Sequence, residues 1–250
     1  MILEIDYGNT RIKWRLLNSY TMQVIARGVA HYVQEFVVQV RHFMQEPIRY
    51  CRICSVHRAC DNDVLTDTLL RDFKIKPVYA ASSKELAGVV NGYIEATKLG
   101  ADRWLAVVAA YSEIKTACLV FDFGTAITVD YVNAQGIHLG GCIAPGMQII
   151  KKSLTSSAQQ LAGLNLGFSE TSAIWGTDTQ SAIMSGISTM IEGFTQEHLR
   201  AAFTEWGSEF KVIYTGGDGQ SVACLAANAL FDEDLVFKGL AIACPFVGGV

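Results

Sequence analysis

Ile2-Leu-Glu-Ile-Asp6-Tyr-Gly8-Asn9-Thr10 near the start of the chain and Cys118-Leu-Val-Phe-Asp122-Phe-Gly124-Thr125-Ala126 in its middle are two copies of one pattern. Each is an apolar run of strand length that ends in Asp-x-Gly and a polar residue. A second apolar run follows each copy, Arg11–Leu17 after the first and Ile127–Val132 after the second. Both stretches read as strand, tight turn, strand, with the glycine serving unusual backbone angles or the close approach of a ligand. A hairpin that recurs once per half predicts two similar α/β domains in tandem. The boundary falls at Lys115 and Thr116, giving a first domain over 1–115 and a second over 116–250.

The rest of the chain alternates helix and strand, as an α/β protein should. Helical patterns cover Val33–Met44, Asp63–Phe73, Lys84–Val90 and Arg103–Ile114, the last with Trp104, Val107, Val108 and Tyr111 on one face. Strands are expected near Ile53, Val78 and Val212–Tyr214. Residues 153–172 are polar, contain glycine and show little periodicity, which suits a loop over a site. Thr179–Trp206 reads as one long helix. Its Ile183, Ile187, Met190 and Phe194 follow helical spacing, and Gly186 and Gly193 leave room for a close backbone. Core packing and a subunit interface both fit that face.

Composition removes several classes of function. Of the 250 residues, 50% are hydrophobic and 18% charged, which excludes a disordered chain. The net charge of −4 provides no electrostatic footprint for nucleic acid. No apolar run approaches the roughly 18–20 residues of a membrane span. The first residues lack the basic start and small-residue cleavage site of a signal peptide, so the expected place is the cytoplasm. Seven cysteines, an odd number scattered through apolar stretches, read as reduced thiols. Cys51-x-x-Cys54, with His57 and Cys60 nearby, lacks the second ligand pair common in a closed zinc site and reads as part of a strand. The five histidines join no constellation and read as structural or exposed.

The two Asp-x-Gly turns carry the chemistry. Phosphate recognition needs backbone N–H groups converging on a concave turn, with a glycine that lets the phosphate come close. Thr10, Thr125 and Thr128 add hydroxyl donors and Lys13 a charge. Asp6 and Asp122 stand at strand ends, where a carboxylate can hold a cation near a polyphosphate. A third element, Lys211-Val-Ile-Tyr-Thr215-Gly216-Gly217-Asp218-Gly219, ends a strand in bare backbone that can lie against a base or ribose. Gly140-Gly141-Cys-Ile143-Ala-Pro145-Gly146 leads into a helix expected from Met147. Asp102 can be a general base for an alcohol with Arg103 pairing a substrate carboxylate, or a helix cap followed by a surface arginine.

These elements resemble the two phosphate motifs and the adenosine motif of the superfamily that unites acetate kinase, heat-shock chaperones and actin. Asp6-x-Gly-Asn-Thr10-x-x-Lys13, Asn91-Gly-Tyr93, Gly100-Ala-Asp102-Arg103, Asp122-Phe-Gly-Thr125-Ala, Gly140-Gly-x-Ile-x-Pro-Gly146 and Thr215-Gly-Gly-Asp218 resemble, in order and spacing, the type III pantothenate kinases. The resemblance implies two ribonuclease-H-like domains with ATP in the cleft between them, and phosphorylation of pantothenate to 4′-phosphopantothenate, the first step of coenzyme A biosynthesis. It implies that Asp6, Gly8, Asn9, Thr10 and Lys13 form the first ATP loop. Gly124 and Thr125, with Gly216, Gly217 and Asp218, would complete the ATP contacts. It places Tyr93, Gly100, Ala101, Asp102 and Arg103 in the pantothenate pocket, Thr179 as a further substrate contact and Asp102 as general base. Asp122 becomes the ligand of a monovalent cation, K⁺ or NH₄⁺, and Asp6 a candidate contact for Mg²⁺. A homodimer through the Thr179–Trp206 helix is implied as well. The family's threonine after Pro-Gly has no counterpart here beyond Ser156 or Ser157, and that contact stays unassigned. Another sugar or small-alcohol kinase of the superfamily is the near alternative. A regulatory protein like the Bvg accessory factors is the distant one.

Overall fold

The computed structural model describes residues 1–157, 174–217 and 229–247. It divides into two compact units. The first comprises Met1–Lys115, Gly136–Leu139 and Asp234–Val250, and the second Thr116–Gln135 and Gly140–Glu233. The final segment, expected with the second half, thus groups with the first.

The strands of the first unit are β1 (Ile2–Tyr7), β2 (Ile12–Leu17), β3 (Val24–Ala30), β4 (Tyr50–Ser55) and β5 (Val78–Tyr79), arranged in the order β3-β2-β1-β4-β5. Antiparallel pairing joins β1 to β2 and β2 to β3, and parallel pairing joins β1 to β4 and β4 to β5. Strand alternation then sorts the side chains. Leu3, Ile5, Trp14, Leu16, Cys51 and Ile53 share one core with Phe36, Val37 and Val40 of α1 (Val33–Phe43) and Leu65, Leu69 and Phe73 of α2 (Ala59–Phe73). Cys51 and Cys54, three apart on β4, therefore point to opposite faces, which defeats a shared metal site. Among the described residues, no group of three or more His, Cys, Asp or Glu could hold a metal ion.

The Lys84–Val90 stretch is not the expected helix. It forms a small hairpin of β6 (Glu85–Leu86) and β7 (Val89–Val90). Ala87 and Gly88, at φ 51° and 84°, both take the left-handed angles of a tight hairpin turn. A short 3-10 turn, Ala96–Lys98, leads into α3 (Ala101–Ile114), every residue of which from Arg103 to Tyr111 is buried.

The second unit repeats the first. Its strands are β8 (Ala117–Phe123), β9 (Ala126–Val132), β10 (His138–Pro145), β11 (Phe210–Thr215) and β12 (Leu230–Phe231), in the order β10-β9-β8-β11-β12. β8 runs antiparallel to β9 and parallel to β11, as β1 does to β2 and β4. The helix α4 (Met147–Ser157) follows β10, and α5 (Thr179–Trp206) precedes β11. The apolar side of α5 mostly faces its own unit. Ile187 and Ile191 join Leu119, Phe121, Val129 and Tyr214 in the core, with Ile183 and Phe194 packed against it. Met190 stays 60% exposed.

The final helix, α6 (Leu235–Ala243), packs on α3 and β1 in the first unit. Charge ties it there. Fully buried Glu4 binds both Arg15 and Arg52. Arg52 Nη1 donates to the Cys244 carbonyl at 2.8 Å, and Arg15 Nη1 lies 3.0 Å from Asp234. A buried carboxylate with two guanidinium partners is the arrangement that makes such a charge tolerable.

Candidate active site

The first turn joins β1 to β2, and Asp6 and Lys13 are cross-strand partners. Lys13 Nζ lies 3.8 Å from Asp6 Oδ2. Between them the Gly8 N–H donates to the Arg11 carbonyl at 3.1 Å, while Asn9 and Thr10 stand exposed. Burial pushes the Asp6 carboxyl up to about 6; Lys13 opposes the rise and the nearby Asp102 carboxylate adds to it. Behind this pair sits the buried Cys54 thiol. Its pKa is driven well above the usual thiol value by burial, and further by Asp6 and Asp102.

Gly100, not Asp102, caps α3; Ala101 opens the helix and Asp102 occupies its first turn. The Gly100 carbonyl accepts the Trp104 N–H at 2.9 Å, and Asp102 Oδ1 accepts the Arg103 N–H at 2.8 Å. A helix N-terminus stabilises negative charge at that position. Arg103 is no surface arginine, being only 7% exposed, and its Nη1 donates to the Tyr93 hydroxyl at 2.7 Å. Asn91 fixes the approach to Tyr93. Its amide nitrogen donates to the Ser83 and Ala96 carbonyls, and its oxygen accepts the Tyr93 N–H at 3.0 Å. An open cleft of about 460 Å³ lies alongside, lined by Gly92, Tyr93, Ile94, Glu95 and Lys98. In the first unit, then, Asp6, Lys13 and Asp102 come together, and Arg103 joins Tyr93.

In the second unit Asp122, the penultimate residue of β8, lies opposite Thr128 on β9 and beside Thr215 on β11. The Asp122 turn and the Thr215-Gly216 strand end therefore share one end of one sheet, and strand ends of open α/β sheets are where ligands commonly bind. Gly216 is held to glycine twice over. Its φ is +93°, and a Cβ there would meet Asp122 Oδ1 at 2.4 Å and the Phe123 carbonyl oxygen at 2.5 Å. Gly124 N–H donates to the Ala126 carbonyl at 3.1 Å, and the Gly146 N–H to the Thr125 carbonyl at 3.0 Å. Those contacts put the Pro145-Gly146 corner against Gly124 and Thr125. Gly217 follows exposed, and Asp218 lies outside the described residues. Thr179 is exposed at the start of α5, just after the Asp178 cap. Ser156 is exposed near the end of α4; the expected 153–172 loop begins inside that helix and otherwise lies outside the described residues.

Comparison with known proteins bears on the whole set. A sequence profile of the type III pantothenate kinases matches residues 2–201. The type III pantothenate kinase of Pseudomonas fluorescens is 40% identical over 98% of this chain and 99% of its own. That of Pseudomonas aeruginosa is 39% identical over the same shares. The chain belongs to the type III pantothenate kinase family. The matched span holds the Asp6 and Asp122 turns, Tyr93, Asp102 and Thr179, while the Thr215-Gly-Gly segment lies beyond it. Among solved structures, a putative Baf family transcriptional activator from Campylobacter jejuni superposes with a TM-score of 0.60 at 23% identity, covering 95% of this chain and 94% of that one. A putative 2-dehydro-3-deoxygalactonokinase from Sinorhizobium meliloti gives 0.59 at 10%, covering 98% and 100%. At such identities the likeness is one of fold, two ribonuclease-H-like units of the actin-like type.

The sequence offered His57 only as a neighbour of the Cys51-x-x-Cys54 pair and left out Glu4; in the structure His57 touches the first turn and Glu4 anchors α6. Glu4 had a signal, an acid inside the apolar run Ile2-Leu-Glu-Ile. His57 had only its place after β4.

Proposed function

We propose that this chain transfers the γ-phosphoryl group of ATP to the hydroxyl of pantothenate, making 4′-phosphopantothenate for coenzyme A synthesis. The observation that carries this reading is the position of Asp102. Its carboxylate stands in the first turn of α3, close to Asp6 and next to Arg103, which reaches the tyrosine lining the cleft. There Asp102 acts as general base, accepting the hydroxyl proton as the bond to phosphorus forms. Arg103 pairs with the pantothenate carboxylate, with Tyr93, Gly100 and Ala101 completing the pocket and Thr179 adding a contact. Backbone N–H groups of Gly8–Thr10 and Gly124–Thr125, with Lys13, take the phosphates. Gly216, Gly217 and Asp218 border the adenosine. Catalysis of this kind rests on position and charge.

The donor sets suit two kinds of cation. Asp6, a half-buried carboxylate whose pKa is raised to about 6 beside Asp102, fits Mg²⁺, which is typically held by one or two carboxylates plus substrate phosphates. Asp122, one carboxylate amid backbone, fits a monovalent ion such as K⁺ or NH₄⁺. Held there, such ions would supply charge to neutralise the phosphates. No described helix is long and apolar enough to cross a membrane, and the reading places the enzyme in the cytoplasm. A homodimer through α5 is part of the proposal. With Ile187 and Ile191 committed to the core, the dimer strip narrows to Met190 between Gly186 and Gly193, where a Cβ would meet nothing within 4 Å. A monomer by light scattering at working concentration would defeat it.

The test is ATP consumption with pantothenate, Mg²⁺ and K⁺, against a panel of sugars and small alcohols. Pantothenate-dependent turnover that falls when K⁺ is withdrawn is the expected result. A folded sample that phosphorylates a sugar but not pantothenate overturns the assignment.

A further inference from the structure

We infer that His57 is a positioning residue of the first phosphate turn, holding the Gly8–Asn9 peptide so that the Asn9 N–H is aimed at the phosphates before ATP arrives. The inference rests on the ATP reading above and adds a residue that lies outside every motif of the sequence.

His57 follows β4, whose last residue, Ser55, is the parallel partner of Tyr7 on β1. The imidazole stacks on the Tyr7 ring, with centroids 3.9 Å apart and planes 24° from parallel. Its Nε2 lies 3.0 Å from the Gly8 carbonyl oxygen. A carbonyl only accepts, so Nε2 carries the proton and donates it.

The ring is itself held from several sides. The His57 N–H donates to Ser55 Oγ at 3.1 Å, and Ser55 Oγ donates to Asn62 Oδ1 in the first turns of α2 at 2.6 Å. The Asn62 carbonyl accepts the Tyr79 hydroxyl at 2.9 Å. Asp61 Oδ2 lies 3.8 Å from the other ring nitrogen. Only 19% of the His57 side chain is exposed. The ring is thus held by β1, β4 and α2 together.

The consequence follows from the planarity of the peptide. In a trans peptide the C=O of one residue and the N–H of the next point in opposite directions. Drawing the Gly8 carbonyl to His57 therefore turns the Asn9 N–H to the opposite side of the turn. The hydrogen bond from the Gly8 N–H to the Arg11 carbonyl constrains the preceding peptide and leaves this one alone. Next to glycine, a peptide flip meets little steric resistance. The flipped form would point a carbonyl oxygen where an anion must bind. His57 removes that alternative.

The test separates the hydrogen bond from the ring. His57→Phe keeps an aromatic face for Tyr7 and loses the donor; His57→Gln keeps an N–H at similar reach and loses the ring. Losing one such hydrogen bond should raise the KM for ATP roughly three- to ten-fold in His57→Phe, with the KM for pantothenate and kcat changed by no more than about twofold. His57→Gln should return the ATP KM to within about twofold of wild type. A residue that only packs would lower kcat and melting temperature in both variants without singling out ATP. An unchanged ATP KM in His57→Phe, or an equal rise in both variants, overturns the inference. A wild-type protein that does not turn over ATP with pantothenate sinks the functional reading instead. Mg-ATP affinity by calorimetry then reads the turn alone: the same ordering of variants supports His57, and its absence refutes it.

Discussion

Asp6→Asn should make the empty protein more stable while disabling it. The carboxyl of Asp6 rises from 3.8 to about 6, chiefly through burial, and the side chain is only 14% exposed. A rise of that size corresponds to about 3 kcal/mol between the two protonation states. The sign is set by which state holds the proton. Below pH 3.8 the carboxyl is neutral in folded and unfolded chains alike, and the folded state bears no cost. As pH climbs from 3.8 to about 6 the unfolded chain ionises first, so the stability linked to this group is lost across that window. Above it the charge costs its full amount, a figure that already includes the relief from Lys13. An asparagine of the same shape escapes the cost. The expected gain near pH 7.5 is about 1–3 kcal/mol, or roughly 2–10 °C in melting temperature for a chain of this size. Thermal melts of both proteins from pH 4 to 8 measure it. The gap should shrink towards zero at the acid end, and saturating Mg-ATP should favour the wild type, because only its binding stabilises. An asparagine variant that melts at or below the wild type near pH 7.5, or a gap that persists unchanged to pH 4, would refute the reasoning.

Two further outcomes are expected. Asp102→Asn should lower turnover by roughly 10²–10⁴-fold with Mg-ATP affinity nearly kept, measured by steady-state kinetics and calorimetry; near-normal turnover would leave Asp102 a helix-end residue only. Arg52→Ala should cost about 3–5 kcal/mol, on the order of 10 °C, by stranding part of the charge on Glu4, and Glu4→Gln with Arg52→Leu should recover most of it. A wild-type melting point in the single variant would mean that Arg15 alone satisfies Glu4.

The repeated hairpin was legible because both its strands and its turn are local. Asp6 at the end of β1 and Asp122 at the end of β8 follow from short runs of sequence, as do α3 and α5. The errors have non-local or turn-level causes. Lys84–Val90 is too short for periodicity to tell a helix from two strands, and the decisive feature is the pair of positive φ angles at Ala87 and Gly88. Ile187 and Ile191 carried the same pattern whether they faced a core or a partner, and only the packing against Leu119 and Phe121 decides. His57 carried no signal, since its role depends on β4 lying beside β1. The return of α6 was equally hidden, because the charges that hold it are spread over Glu4, Arg15, Arg52 and Asp234.

That return gives the chain a problem of timing. Glu4, Arg15 and Arg52 leave the ribosome well before their partners Asp234, Ala241 and Cys244, which follow the whole second unit in the chain. At about 5–20 residues per second, the interval between Lys115 and Asp234 lasts on the order of ten seconds. Throughout it the nascent first unit has the residues of its sheet and of three helices, α1, α2 and α3, but not the helix that closes its charged face. The intervening unit is complete in sequence before its predecessor is complete in structure. Vectorial synthesis therefore runs against the order in which this fold can finish, and the first half of the protein stays open to chaperones until the second half has been made.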